Sequence, residues 1–140
     1  MKALKIAGIG IGIAVILIAV FLGFVAISPI PSYEVNVPDF KATVTDASVR
    51  EGKRMAAMLC ANCHMNRQTR RLTGAKMDDL PSEFGTIYSA NITQDPTFGI
   101  GEWTDGELLY LLRTGIKRNG QYAPPYMPKF PNMSDKDIHS

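Results

Sequence analysis

Cysteine and histidine are scarce in this chain. There are two of each, Cys60, Cys63, His64 and His139. A structural zinc site needs four ligands, usually Cys or His, and three of the four candidates fall inside one five-residue stretch, with His139 far away. A thioredoxin-like redox pair needs a βαβ setting, and no strand-rich segment precedes Cys60. Internal repeats and low-complexity tracts are absent. Gly8 and Gly10 do not form a dinucleotide loop, because no strand precedes them and position 13 is Ile. Net charge is also low, at +2. With Lys2 and Lys5 set aside, basic and acidic residues are equal in number, which argues against a nucleic-acid partner.

What remains is concentrated at Cys60-Ala61-Asn62-Cys63-His64. The C-x-x-C-H spacing is that of c-type haem attachment. On a helix, Cys60 and Cys63 lie one turn apart and His64 follows four residues after Cys60. Two thiols can then bond the vinyl edges of one porphyrin while the imidazole takes the iron. One covalent haem c is the cofactor expected.

Charge is missing altogether from Ile6 to Ile27, where nearly every residue is apolar or glycine. As a helix this run spans about 33 Å, enough for a hydrocarbon core of about 30 Å. It exceeds the h-region of a cleaved signal peptide, and no A-x-A site follows, so an uncleaved anchor is expected. Lys2 and Lys5 should stay cytoplasmic, which puts the rest of the chain on the far side. The domains expected are a cytoplasmic N-terminus over 1–5, a transmembrane anchor over 6–27, an extended Pro-containing tether over 28–47 and a haem domain over 48–140. Gly8, Gly12, Ala19, Gly23 and Ala26 form a small-residue stripe of the kind that lets membrane helices approach.

Three capping boxes place the helices. Ser48-x-x-Glu51 predicts the start of a helix that carries the chain to Cys60, Thr104-x-x-Glu107 opens one that stops at Gly115, and Ser134-x-x-Asp137 begins another near the end. Residues 66–100 are rich in Gly, Pro, Thr and Asp and read as loop.

His64 fills one axial position of the iron. Met55 and Met58 precede the motif on the wrong side of the ring, Met65 is too near His64, and Met133 fills a staple position before Ser134. Met77, in a polar loop, stays open, and His139 lies at the end of a barely started helix. Met127 stands in Ala123-Pro124-Pro125-Tyr126-Met127-Pro128, where prolines fix φ and hold a thioether at a set height. It is the expected second ligand. Trp103, Arg113 and Asn91 are candidate donors to a haem propionate. Arg67, Arg70 and Arg71 after the motif, with Lys117, Arg118 and Lys129 around the Met127 loop, would steer an acidic partner if they gather at an exposed edge.

From Ser48 to Ser140 these features resemble the class I cytochrome c family. The runs Gly85-Thr86-Ile87-Tyr88-Ser89-Ala90-Asn91-Ile92-Thr93-Gln94-Asp95 and Gly99-Ile100-Gly101-Glu102-Trp103 are most similar to cytochrome c subunits of bacterial membrane-bound dehydrogenases. The resemblance implies a mostly α fold, a transmembrane helix plus a small class I domain wrapped around the haem. It implies Cys60 and Cys63 as thioether anchors, His64 and Met127 as axial ligands, and Gly52 at the crossing of the first and last domain helices. Such subunits usually carry three haems, whereas this chain has one motif, and its last helix is cut short, through an incomplete chain or a partner on the exposed face. The function expected is electron transfer as a non-enzyme subunit of a respiratory or photosynthetic complex in the bacterial inner membrane. Its haem domain would be periplasmic, with other subunits and a redox donor and acceptor as partners. The alternatives are a haem enzyme or gas sensor with an open distal site and a scaffold whose membrane helix matters most.

Overall fold

The computed structural model describes residues 2–140, with side chains from Lys5 onward. Met1, part of the expected cytoplasmic N-terminus, lies outside the described residues. The chain divides into two compact units, the first ending at Ser32 and the second running Tyr33–Ser140.

The first unit is a single helix, α1, Lys2–Ile27. An uninterrupted run of aliphatic residues favours a helix wherever water does not compete for its backbone. The described side chains of α1 are all exposed, so no face is set aside for packing within the chain. Lys5–Ile27 is long and apolar enough to cross a membrane. The Ser28 hydroxyl donates back to the Phe24 carbonyl at 2.8 Å and closes the last turn.

In the second unit, α2 spans Asp46–Leu59 and α3 Ala61–His64, followed by loop with one 3-10 turn at Ser82–Phe84, then α4 at Asp105–Thr114 and α5 at Asp135–Ile138. No strand forms among the described residues; isolated bridges include Lys76–Tyr88 and Ile116–Tyr122. The architecture is mostly α, as expected.

Helix α2 starts earlier than Ser48. Its N-cap is Thr45, whose hydroxyl accepts from Ser48 N–H, and the Ser48 hydroxyl accepts from Thr45 N–H in return. Serine replaces the usual Glu or Gln at the third helical position, which hides the box from a pattern search. Glu51 is used differently, paired with Arg54 one turn on. The box at Thr104–Glu107 forms as expected, and α4 ends on Gly115 in the left-handed conformation at φ 80°. Ser134 likewise caps α5, accepting from Asp137 N–H.

Helix α2 packs on α5. A Cβ on Gly52 would come within 2.7 Å of the Ser140 carbonyl carbon, so only glycine permits this approach.

Residues 33–45 are extended, as a tether would be, but they lie along the second unit rather than free of it. Tyr33 N–H donates to the Gly120 carbonyl at 2.8 Å and Tyr110 Oη to the Glu34 carbonyl at 3.3 Å. Phe40 stacks on His139 with ring centroids 4.2 Å apart. Ala42 N–H donates to Asp105 Oδ2 at 2.9 Å. Composition alone makes this segment look solvent-borne; its backbone donors find partners on α4 and the 115–122 turn.

Candidate functional site

A helical turn carries Cys60 to His64. Helix α2 ends at Leu59, Cys60 stays in right-handed geometry at φ −103°, and His64 N–H donates to the Cys60 carbonyl at 2.9 Å. The two thiols and the imidazole are thereby held one turn apart on half-buried backbone. Neither cysteine is in a disulfide. Burial pushes the Cys60 thiol above its usual value, and the neighbouring Cys63 adds to this. An exchange-active Cys-x-x-Cys pair shows the opposite, a thiol pulled down toward thiolate.

The loop that follows fastens the motif from outside. His64 Nδ1 lies 2.8 Å from the Ala90 carbonyl oxygen. A carbonyl only accepts, so Nδ1 carries the proton and donates, which leaves the Nε2 lone pair free to bind a metal. The Ser89 hydroxyl donates to the Cys63 carbonyl at 2.7 Å and accepts from Ala75 N–H at 2.9 Å. Gly74 N–H donates to the His64 carbonyl at 2.9 Å. Loop residues 74, 89 and 90 therefore set the height and orientation of the imidazole. Sequence patterns do not reveal Ser89 and Ala90 as site supports, because a serine hydroxyl and a backbone carbonyl leave no signature.

The Met127 loop is fastened at both ends to the end of α4. Ala123 N–H donates to the Gly115 carbonyl at 2.7 Å and Phe130 N–H to the Leu112 carbonyl at 2.8 Å. Between them Met127 N–H closes a turn onto the Pro124 carbonyl at 2.9 Å, and Lys129 Nζ reaches the same carbonyl at 3.2 Å. Met127 itself is half-buried. Met77, the other open candidate, lines a cleft of about 210 Å³ made by its own loop, Lys76 to Ile87.

The expected propionate donors have different fates. Arg113 donates to the carbonyls of Phe130, Pro131 and Met133 and pairs with Asp135 at 2.7 Å, so its guanidinium braces the 130–135 segment. Asn91 Oδ1 accepts from Thr93 N–H at 2.9 Å and Thr93 Oγ1 at 2.8 Å, an Asx-type turn that occupies the oxygen of the side-chain amide and not its nitrogen. Trp103 is half-buried with the Arg118 guanidinium 5.7 Å over its ring. A larger cleft of about 620 Å³, between Val37–Lys41 and Gly101–Gly106, includes none of the residues of the Cys60–His64 motif.

A covalently held porphyrin fits what is present. Two unpaired thiols and an imidazole with a free Nε2 form its donor set. Among the described residues no side chain larger than Ala123 is fully buried. Leu59, Leu72, Ile92, Leu108 and Leu112 are only half-buried, although aliphatic residues in a unit of this size are ordinarily the most buried of all. That apolar interior suits a large flat ligand better than it suits self-packing.

No family model matches the chain. Individual relatives do. It is 36% identical over 98 residues to the cytochrome c subunit of the quinone alcohol dehydrogenase of Gluconobacter oxydans, covering 68% of this chain and 20% of that one. It is 34% identical over 96 residues to the gluconate 2-dehydrogenase cytochrome c subunit of Pantoea cypripedii, covering 66% and 21%. This chain is a relative of dehydrogenase cytochrome c subunits. A diheme cytochrome c-type protein of Cereibacter sphaeroides is 32% identical over 126 residues, covering 88% of this chain and 40% of the relative. The chain thus spans well under half the length of the relatives it matches.

Proposed function

We propose that this cytochrome c relative is a membrane-tethered electron carrier. One haem c would be held by thioether bonds to Cys60 and Cys63, with His64 Nε2 and Met127 Sδ as its iron ligands. The observation that carries this reading is the bond from His64 Nδ1 to the Ala90 carbonyl, which fixes the tautomer a ligating histidine needs. The relatives named as cytochrome c subunits support the haem.

When bound, such a group supplies a single reversible electron at a potential that His/Met ligation raises. The residues of the chain do the rest. Ser89 and Gly74 hold the motif backbone, Ala90 orients the imidazole, and the Pro-rich turn presents Met127. Asn91 Nδ2 and Trp103 Nε1 are donors for a propionate, while Arg113 keeps the 130–135 segment in place. Were His64 and Met127 both to ligate the iron, they would leave substrate no open coordination site, which suits a carrier subunit rather than an enzyme. Helix α1 would anchor it in the bacterial cytoplasmic membrane with the second unit on the periplasmic side, since Lys2 and Lys5 favour a cytoplasmic N-terminus. Its partners would be the other subunits of a dehydrogenase-type complex.

Absorption spectra of the purified protein test this. A c-type reduced spectrum unchanged by carbon monoxide is expected. A shift on adding the gas would remove Met127 as ligand and favour an open-site haem protein, and a colourless protein would overturn the reading.

A further inference from the structure

We infer that residues 33–45 are a permanent clasp on the second unit, so that the free tether after α1 shrinks to Ser28–Ser32 and limits how far the second unit can travel from its anchor. The inference rests on the membrane-anchored reading above.

The clasp has four fastenings of different chemistry, spread along its length. Tyr33 N–H binds the Gly120 carbonyl, and its ring meets Tyr122 edge-on at 6.3 Å. Tyr110 Oη holds the Glu34 carbonyl. Phe40 stacks on His139. The Asp105 carboxylate accepts from Ala42 N–H and pairs with Lys41 at 3.3 Å. Beside these, Gly106 is buried against the Pro38 carbonyl, and a Cβ there would overlap that oxygen. Glycine in the first turn of a helix costs helix stability, and its use here is close approach of the strap.

Such a spread of contacts removes independent motion from the segment. From Ile27, the end of α1, to Tyr33, the chain can reach at most about 20 Å fully extended. Pro29 and Pro31 stiffen even that short run. A free tether from residue 28 to 47 would reach roughly three times farther. The covalent link between the anchor and the second unit is therefore limited to at most about 20 Å.

Hydrogen exchange on the full-length protein in phospholipid vesicles tests the clasp directly. The Tyr33 and Ala42 amides should exchange about 100-fold or more slowly than unstructured amides. Protection should drop at both in the doubly substituted Phe40→Ala, Asp105→Asn protein. Unprotected amides in the unsubstituted protein would overturn the clasp, whatever the variant does. Reach is read by energy transfer from headgroup-labelled lipid to the haem. A roughly 20-residue Gly/Ser spacer inserted between Ser32 and Tyr33 should weaken that quenching at least about twofold. Equal quenching with and without the spacer would overturn the limited reach. If the spectrum shows no haem, the carrier reading fails, and the exchange result still decides the clasp.

Discussion

The two sides of the proposed haem site are held by opposite means. On the His64 side, the ligand sits on a short helical turn whose orientation comes from a distant loop, through Ala90 at one nitrogen and Ser89 at the Cys63 carbonyl. On the Met127 side, stiffness is local. Prolines restrict the backbone, and the turn from Pro124 to Met127 closes on itself, with backbone bonds to α4 only at its two ends. The first side therefore depends on the fold being complete, and the second on its own covalent geometry. Substitutions should be felt globally on one side and at the iron on the other.

The largest effect is expected for His64→Ala. It removes the proposed first iron ligand together with the bond to Ala90, and the purified protein should carry little haem; near-normal incorporation would place the ligand elsewhere. Met127→Ala comes next. Haem should stay attached, while the midpoint potential falls by on the order of 0.1 V within the roughly 0.8 V that axial ligands span. The reduced protein should then bind carbon monoxide. An unchanged potential would make Met77 the first alternative.

Ser89→Ala separates the two sides. It deletes the bond to Cys63 and leaves Ala75 N–H unpaired, at a cost of about 1–2 kcal/mol. The thermal midpoint should fall by about 4–8 °C per kcal/mol. The potential should hardly move, because the proposed ligands His64 and Met127 remain, and a large redox change with no loss of stability would contradict this division of labour.

Asp105 belongs to neither side and gives the smallest effect. The Ala42 N–H, then Lys41, hold its carboxyl below the usual carboxylate range. A depressed folded value means that the contribution is present above the ordinary carboxylate pKa of about 3.9 and is lost as pH falls through the lower folded value. Because the group is partly exposed, Asp105→Asn should cost about 1 kcal/mol at neutral pH and nothing once the pH has fallen below the depressed folded value. Acid titration of the thermal midpoint, compared between the two proteins, measures this.

Much of the molecule is legible in its residues alone. Cys60-x-x-Cys63-His64 carries its chemistry in spacing, the uncharged run after Lys5 announces a membrane-length helix, and Thr104–Glu107 with Gly115 brackets α4. Each of these is local, decided within a turn or two of backbone. The strap reads as a free tether because its partners, Asp105, Gly120 and His139, lie far along the chain. The first helix of the second unit reads as starting at Ser48 instead of Asp46 for a subtler reason, since Ser48 acts as the returning half of a box begun by Thr45. Arg113 reads as a propionate donor, and only the folded chain shows its two terminal guanidinium nitrogens engaged with residues 130–135.

Local sequence thus sets the elements, the membrane-length helix and the Cys-x-x-Cys-His motif, because periodicity, charge and short-range spacing act on neighbouring residues. Long-range packing settles which nitrogen of His64 is free, what braces Cys63, and how much of the segment after α1 is tether. Those outcomes depend on a backbone carbonyl, a hydroxyl and a buried glycine meeting residues more than twenty positions away, and such meetings leave no mark on local sequence.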